Sequence, residues 1–528
     1  MRRLLLVLCL VAALASSARL AWQWRHMPHL GIFHDDAIYL VSAHALATGQ
    51  GYRIESLPGS PWQTKYPILL PLYLSLAWRI EPGFPRVLPW VMLLCWMTLP
   101  AFVLAAEGFF SQVGFGPEER ILLCFLLAFN PILVYLSLAA MSEVMGCFFF
   151  AICLLHLERS MDRPREGRAA ILAGLFAGLS ILARTALLPV LASAPLCYLL
   201  HRRRRQAWLF LVASLPFAAG WQLWTATHKA AASDLETLFY TDYLRFYLFN
   251  LGRTSFPQLV YDNLGALLKS FGEMMVFQQA KGFVPVLAAL VAAIIGMAGW
   301  VRLFRQGRLR QYALFAILFS AQHLVYNFPP TARFLLPLVP GLLAGFWTEF
   351  RHILTLVARH RRHPSVAERA VAYALFAVLF LFGLFSLWRA AYGVSRWVPD
   401  NLEVQRDLLV GRLPALHWVS ANSKPDDVVL STFESLSYLY TGRRGLGFFL
   451  PTSLFYPPDK KAIESHFRGV PRFVYDRDIA YVILSAGDYA VSEPQFSFPA
   501  WQQALNDQPV FQRVFENHVA HVYRVLRR

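Results

Sequence analysis

Apolar runs of 15 to 24 residues recur along the chain near positions 3–22, 87–110, 120–139, 141–158, 168–183, 186–200, 207–226, 283–303, 311–327, 334–350 and 369–391, with polar segments between them. A bilayer core takes roughly 20 apolar residues to cross as a helix, so the pattern predicts an all-α polytopic membrane protein with about eleven transmembrane helices. The stretch 67–80 is also apolar, but its 14 residues are short for a crossing and predict a juxtamembrane helix at the outer surface. Beyond 391 the pattern changes. Val428–Leu430 and Tyr481–Leu484 read as strands and Asp459–Phe467 as a helix, so a small C-terminal α/β domain is expected over 392–528, after a membrane domain over 1–391.

Charge sets the orientation. The chain carries a net charge of +17, and its arginines cluster between apolar runs: Arg120, then Arg159, Arg163, Arg165 and Arg168, then Arg202 to Arg205, then Arg302, Arg305, Arg308 and Arg310, then Arg351, Arg359, Arg361 and Arg362. Basic flanks mark the cytoplasmic side of membrane helices, and all these clusters fall on one side if the N-terminus is inside and 67–80 does not cross. The same register places outside the first loop 25–86, the Met141–Glu143 turn, Arg184, the long loop 227–282, the segment Asn327–Arg333 and the C-terminal domain. Basic residues used as flanks, with 57% hydrophobic residues and mean hydropathy +0.43, argue for membrane lipids as surroundings and against nucleic acid as partner. Met1-Arg2-Arg3, an apolar run and Ala15-Ser16-Ser17-Ala18 also fit a cleavable signal peptide; apolar character up to Trp22, with Arg19 able to snorkel, favours a retained helix. The six cysteines show no metal or redox spacing and read as apolar packing residues.

The chemistry-bearing residues gather on the expected outer side. Asp35-Asp36 stand where the first helix leaves the membrane. A carboxylate there could accept the proton of an attacking hydroxyl, and an Asp could equally cap the helix that follows; the residues themselves leave both readings open. Lys65, before Tyr66-Pro67, could meet a phosphate as a point charge or snorkel to the interface. Arg184 and Arg333 lie near outer ends of spans, where a guanidinium requires a partner or a polar cavity and where a phosphate is a bidentate match. Glu143 could orient an acceptor, pair with an arginine, or be a solvated turn residue. Trp22 and Trp62 are candidates for sugar stacking. No cofactor is expected with certainty; a divalent metal could be held by Asp35, Asp36, Glu143, His34 or His228, although their spacing is not diagnostic. GxxxxGK[ST] and HExxH are absent. Gly174/Gly178 and Gly341/Gly345 have the GxxxG spacing of close helix packing.

The ordered set Asp35-Asp36-Ala37-Ile38-Tyr39, Ala47-Thr48-Gly49-Gln50-Gly51-Tyr52, Lys65-Tyr66-Pro67-Ile68-Leu69-Leu70-Pro71, Ser142-Glu143, Ala183-Arg184 and Arg333-Phe334-Leu335-Leu336-Pro337 resembles the membrane-embedded C-type glycosyltransferases. Within them it is similar to the branch of protein O-mannosyltransferases and bacterial lipid A aminoarabinose transferases. The chain departs from that pattern with Asp-Asp where Asp-Glu is frequent, and with Pro67-Ile68 where Pro-Pro is frequent. The resemblance implies an inverting transfer of a sugar from a polyprenyl-phosphate donor to an acceptor hydroxyl of a protein, lipid or glycan, on the outer face of a bacterial inner membrane. It implies Asp35 as leading base with Asp36 beside it, and Lys65, Tyr66, Glu143, Arg184 and Arg333 as substrate-binding residues. The rival readings are a polytopic transporter or lipid flippase, whose usual internal repeats are not seen, and a non-catalytic scaffold.

Overall fold

The computed structural model describes residues 2–163, 166–230, 235–251, 255–276, 282–359, 366–449, 451–452, 460–485, 501–503 and 505–526. Each of the eleven apolar runs falls on helix. Six described helices are long and apolar enough to cross a membrane by themselves: Arg3–Gln23, Leu88–Val113, Glu143–Asp162, Arg204–His228, Phe283–Arg305 and the long Tyr373–Asn422. The run 120–139, expected as one helix, is a pair, Pro117–Ala128 and Pro131–Ser137, bent by 59°. Asn130 and Pro131 cause the bend. Asn130 accepts the Ile132 and Leu133 amides through its side chain as an N-cap, and Pro131 opens the second helix, where its missing N–H is harmless. Gly167–Ala183 and Thr185–Leu200 are apolar but shorter.

Helix Phe283–Arg305 lies against Val339–Arg359 at backbone contact. A Cβ at Gly299 would stand 1.8 Å from the Gly345 carbonyl oxygen, and one at Gly345 would stand 2.0 Å from that of Gly296. Both glycines of the 341/345 pair serve packing, Gly345 against Phe283–Arg305 and Gly341 against the Tyr312 ring of Arg310–Leu324, where a Cβ would stand 1.9 Å away. The lipid-facing surface is apolar, with Leu4, Leu104, Phe283 and Ile294 strongly exposed, as bilayer surroundings require.

Leu69–Ile80, the short helix expected at the surface, packs against Asp35–Ala47. The last long helix does not stop at 391. It runs through a π turn at Gly393–Trp397 into Val398–Asn422 and delivers the chain to a five-stranded sheet. The strands are β1 (Val428–Leu430), β2 (Gly445–Leu446), β3 (Ile479–Ser485), β4 (Phe511–Glu516) and β5 (Ala520–Val525), in the order β2-β1-β3-β5-β4. β1 pairs in parallel with β2 and β3; β5 is antiparallel to β3 and β4. The expected strands are β1 and β3, and the expected helix is seen as Lys460–Phe467, Asp459 lying outside the described residues.

Strand alternation gives this sheet two destinations. Val429, Tyr481, Ile483 and Val522 pack on Leu416 and Val419 of the helix Val398–Asn422. Leu430, Val482 and Leu484 point the other way and join the main core. The sheet is tied to the first loop as well: the Gly445 amide donates to the Ser56 carbonyl at 2.8 Å, and the Ser56 and Ser435 hydroxyls are 2.9 Å apart. At Gly31, φ is +92° and a Cβ would meet Leu436 at 2.8 Å, so this contact too requires glycine.

Candidate active site

The first loop turns at His34, which has φ +60°, and the helix Asp35–Ala47 starts at once with two carboxylates in its first turn, where the helix dipole favours negative charge. Successive residues on a helix are about 100° apart, so the two aspartates diverge. Asp36 turns inward. It is fully buried, its Oδ2 accepting the Gly31 amide at 2.9 Å and its Oδ1 the Ala37 amide at 3.0 Å. Burial pushes its carboxyl up to about 6, the two amides opposing and the Asp35 charge adding. Asp36 thus anchors the loop.

Asp35 turns outward and keeps a quarter of its side chain exposed. Its Oδ1 accepts the Tyr66 hydroxyl at 2.5 Å and its Oδ2 faces Arg333 Nη2 at 3.3 Å. Burial alone would raise this carboxyl. The Lys65 and Arg333 charges and the Tyr66 hydrogen bond outweigh burial and hold it below the usual carboxylate range, so Asp35 is ionised at neutral pH.

Arg333 comes from the loop that precedes the short turn Leu336–Leu338, and it spans two carboxylates: Nε donates to Glu143 Oε1 while Nη2 reaches Asp35. Arg184, at the C-cap of Gly167–Ala183, brings Nη1 to the same Glu143 oxygen at 3.1 Å and to Ser142 Oγ at 3.3 Å. Glu143 opens the helix Glu143–Asp162 and is nearly wholly buried; its Oε2 has no hydrogen-bond partner among the described residues. It is not a solvated turn residue. Its carboxylate is the common anchor of both arginines.

Lys65 lies beside this network in an aromatic cage. Its Nζ is 3.0 Å from the centre of the Phe239 ring, 4.7 Å from Tyr66, 5.3 Å from Tyr243 and 5.9 Å from Tyr240. No carboxylate among the described residues forms an ion pair with it. Burial depresses the ammonium to about 7, against the pull of Asp35 and Glu434. Three cations, Lys65, Arg184 and Arg333, thus surround two carboxylates, Asp35 and Glu143. Six of the seven site residues expected from sequence converge here; Asp36 adjoins the cluster but faces away.

Several residues of the site were invisible in the sequence. Glu434, from the helix Glu434–Thr441 of the C-terminal region, sits 2.9 Å from His34 Nε2 through its Oε2, fully buried. Tyr240 also bonds to Glu434, and its hydroxyl is 3.4 Å from the same imidazole nitrogen. Phe449 sets its ring 6.0 Å from His34 and 4.7 Å from Phe239. The hydroxyls of Tyr243 and Tyr326 meet at 2.9 Å. None of these belongs to a local motif; a lone Glu in a soluble-looking tail carries no sign that it will meet a residue 400 positions earlier.

Other expectations land elsewhere. Trp62 carries the Arg53 guanidinium on its face at 3.6 Å and packs edge-on to Trp224 and His228, and His228 stacks on Trp224. Trp22 is exposed. As for a metal, no group of three or more His, Cys, Asp or Glu side chains among the described residues is placed to hold one. Asp35 and Glu143 are joined by an arginine instead. The donor set does not fit a resident divalent ion.

No family model matches the chain, and no curated protein sequence matches it. Solved structures do. The chain is similar to ArnT from Cupriavidus metallidurans bound to undecaprenyl phosphate, at 12% identity, covering 97% of each chain with TM-score 0.55. It is similar to the Archaeoglobus fulgidus oligosaccharyltransferase in complex with Zn and sulfate, at 13% identity, covering 98% of this chain and 73% of that one with TM-score 0.56. It is also similar to the arabinofuranosyltransferase AftD from Mycobacteria, at 15% identity, covering 99% of this chain and 40% of that one with TM-score 0.51. At these identities the likeness is one of fold: the chain has the fold of the membrane-embedded C-type glycosyltransferases.

Proposed function

We propose that the protein is a glycosyltransferase that moves a sugar from a polyprenyl-phosphate donor to an acceptor hydroxyl, with inversion at the anomeric carbon. The observation that carries this reading is the pairing of an ionised, partly open carboxylate, Asp35, with an arginine, Arg333, and with a lysine, Lys65, that has no ion-pair partner among the described residues, within one cluster. The phosphodiester of such a donor bears one negative charge and departs as a monoester with more, so catalysis calls for cations at the leaving oxygen and needs no acid to protonate it. Lys65 and Arg333 meet that demand.

In the proposed step the acceptor oxygen attacks the anomeric carbon as Asp35 takes its proton. The bond from that carbon to the phosphate oxygen breaks on the opposite side, and polyprenyl phosphate leaves with the electron pair. Donor binding prepares the base. The free carboxylate is held at low basicity by Lys65 and Arg333; a bound phosphate shares those charges, so the basicity of Asp35 rises when there is a sugar to transfer. Tyr66 fixes the carboxylate's orientation, and Glu143 positions Arg184 and Arg333. ArnT was solved with undecaprenyl phosphate and another Archaeoglobus fulgidus oligosaccharyltransferase structure with a dolichol-phosphate, which supports a lipid-phosphate donor.

We read the chain as eleven crossings of a bacterial inner membrane, with the N-terminus cytoplasmic, the first loop 25–86, the long loop 227–282 and the region 392–528 outside, and the acceptor arriving there as protein, lipid or glycan. The test is transfer of labelled sugar from a panel of polyprenyl-phosphate sugars by the purified chain in lipid, with D35N alongside and with and without a chelator. Aspartate-dependent, chelator-resistant transfer is expected. Folded protein that transfers from no donor but moves lipid or solute across the bilayer would replace this reading with the transporter one.

A further inference from the structure

We infer that the C-terminal region completes the donor site: Glu434 is a positioning residue that holds His34 as an imidazolium, and His34 then serves as a third cation for the lipid phosphate beside Lys65 and Arg333. This rests on the glycosyl-transfer reading for its biological meaning, but its physical content is a phosphate site. The geometry is specific. Glu434 Oε2 takes His34 Nε2 at 2.9 Å, with Glu434 wholly buried, and Tyr240 bonds to the same carboxylate. A buried carboxylate demands a counter-charge, and His34 is its ion-pair partner among the described residues. With Nε2 occupied, Nδ1 is the ring's remaining donor; no described residue bonds to it, and the His34 side chain retains 19% exposure. His34 immediately precedes Asp35 and is held at φ +60°, so its placement also sets where the Asp35 helix begins.

The groups facing His34 are Glu434, Tyr240, Asp35, Asp36 and Lys65, with Phe239 and Phe449 as apolar neighbours. Burial opposes the charged ring, but Glu434 and Asp35 outweigh burial and the Lys65 repulsion, so its pKa stands above the ordinary value. Glu434 thus favours the charged ring, and its loss would let burial drive the proton off.

The experiment is the affinity of the full chain in lipid nanodiscs for undecaprenyl phosphate, measured from mildly acid to mildly alkaline pH for wild type, E434Q and H34N. Each is also measured on a K65R background, charged throughout, because Glu434 supports the Lys65 ammonium and its removal would shift that titration too. E434Q should approach wild type at the acid end, where its histidine regains its proton, and fall roughly 10- to 100-fold below it as pH rises, with the transition at lower pH than in wild type because burial then acts on the ring with less opposition. H34N, whose asparagine tolerates positive φ, should lose a similar factor at every neutral pH with no such transition. Adding E434Q to H34N should cost nothing more. An E434Q protein with wild-type affinity at all pH values would overturn the inference, as would a loss in E434Q that does not depend on pH, since that is what a purely structural contact gives. Should E434Q not fold, undiminished binding by H34N would overturn it alone. Binding is independent of turnover, so a failure here is distinct from a failure of the transferase reading, which the transfer assay decides.

Discussion

Two arginine–carboxylate contacts at different places in the helical bundle are built on opposite plans. Arg302 and Glu349 join Phe283–Arg305 to Val339–Arg359 through two parallel bonds, Nε to Oε2 and Nη2 to Oε1, each 3.0 Å. That fork is closed: one cation, one anion, both faces matched. Arg333 instead divides its donors between Glu143 and Asp35, with the Asp35 bond stretched to 3.3 Å, and Lys65 stands near against aromatic faces, with no ion-pair partner among the described residues. A closed pair has nothing left to offer a ligand. An open one, with cations in excess and an exposed edge on Asp35, keeps capacity for an incoming anion. The difference separates a structural ion pair from a candidate site.

The largest effect is expected at Asp35. D35N keeps the shape and removes the proposed base, and transfer should fall by about 10² to 10⁴, with donor binding retained or tighter because Lys65 and Arg333 lose a competitor. Next is R333K, which preserves charge but cannot bridge Asp35 and Glu143 together. We expect kcat to fall by roughly 10²-fold in the same labelled-sugar assay. A loss confined to thermal stability would put Arg333 in the class of Arg302.

The Lys65 effect should be smaller and pH-dependent. Its ammonium sits at about 7, so it is charged below that pH and neutral above it. Donor KM should therefore rise as pH climbs through 7, and K65R, charged throughout, should flatten the profile. D36N should cost less than tenfold in transfer by roughly the weight of one lost anchor bond, far below D35N. The stability sign is opposite to that of a usual carboxylate. The folded pKa of Asp36 is raised to about 6, so its contribution to stability is present below the unfolded value of about 3.9 and lost as pH rises through 6; thermal melts of D36N should lack that decline. The smallest effect is expected from R302M: about 1 kcal/mol of stability or less, with unchanged transfer.

Much of the fold was legible because helices in a bilayer are announced locally. Apolar length marks them, and Gly345 stands where two of them cross closely. The bend at Asn130 was also written in the sequence, as an N-cap followed by proline, although an apolar count over 120–139 passes over it. The site was legible in its cations and acids, since Lys65, Glu143, Arg184 and Arg333 stand at ends of apolar runs where a charge requires a reason.

Sequence alone therefore determined the membrane-helix pattern, the acidic pair and the set of cations available to it. Only the tertiary structure decided which aspartate is which, because the choice depends on side-chain direction: Asp36 returns to the Gly31 and Ala37 amides while Asp35 meets Tyr66 and Arg333. Only it brought Glu434 to His34. Pairing between residues so far apart leaves no periodic trace in a sequence, and it arises here because alternate faces of the C-terminal sheet bind that region both to its own helix and to the main core.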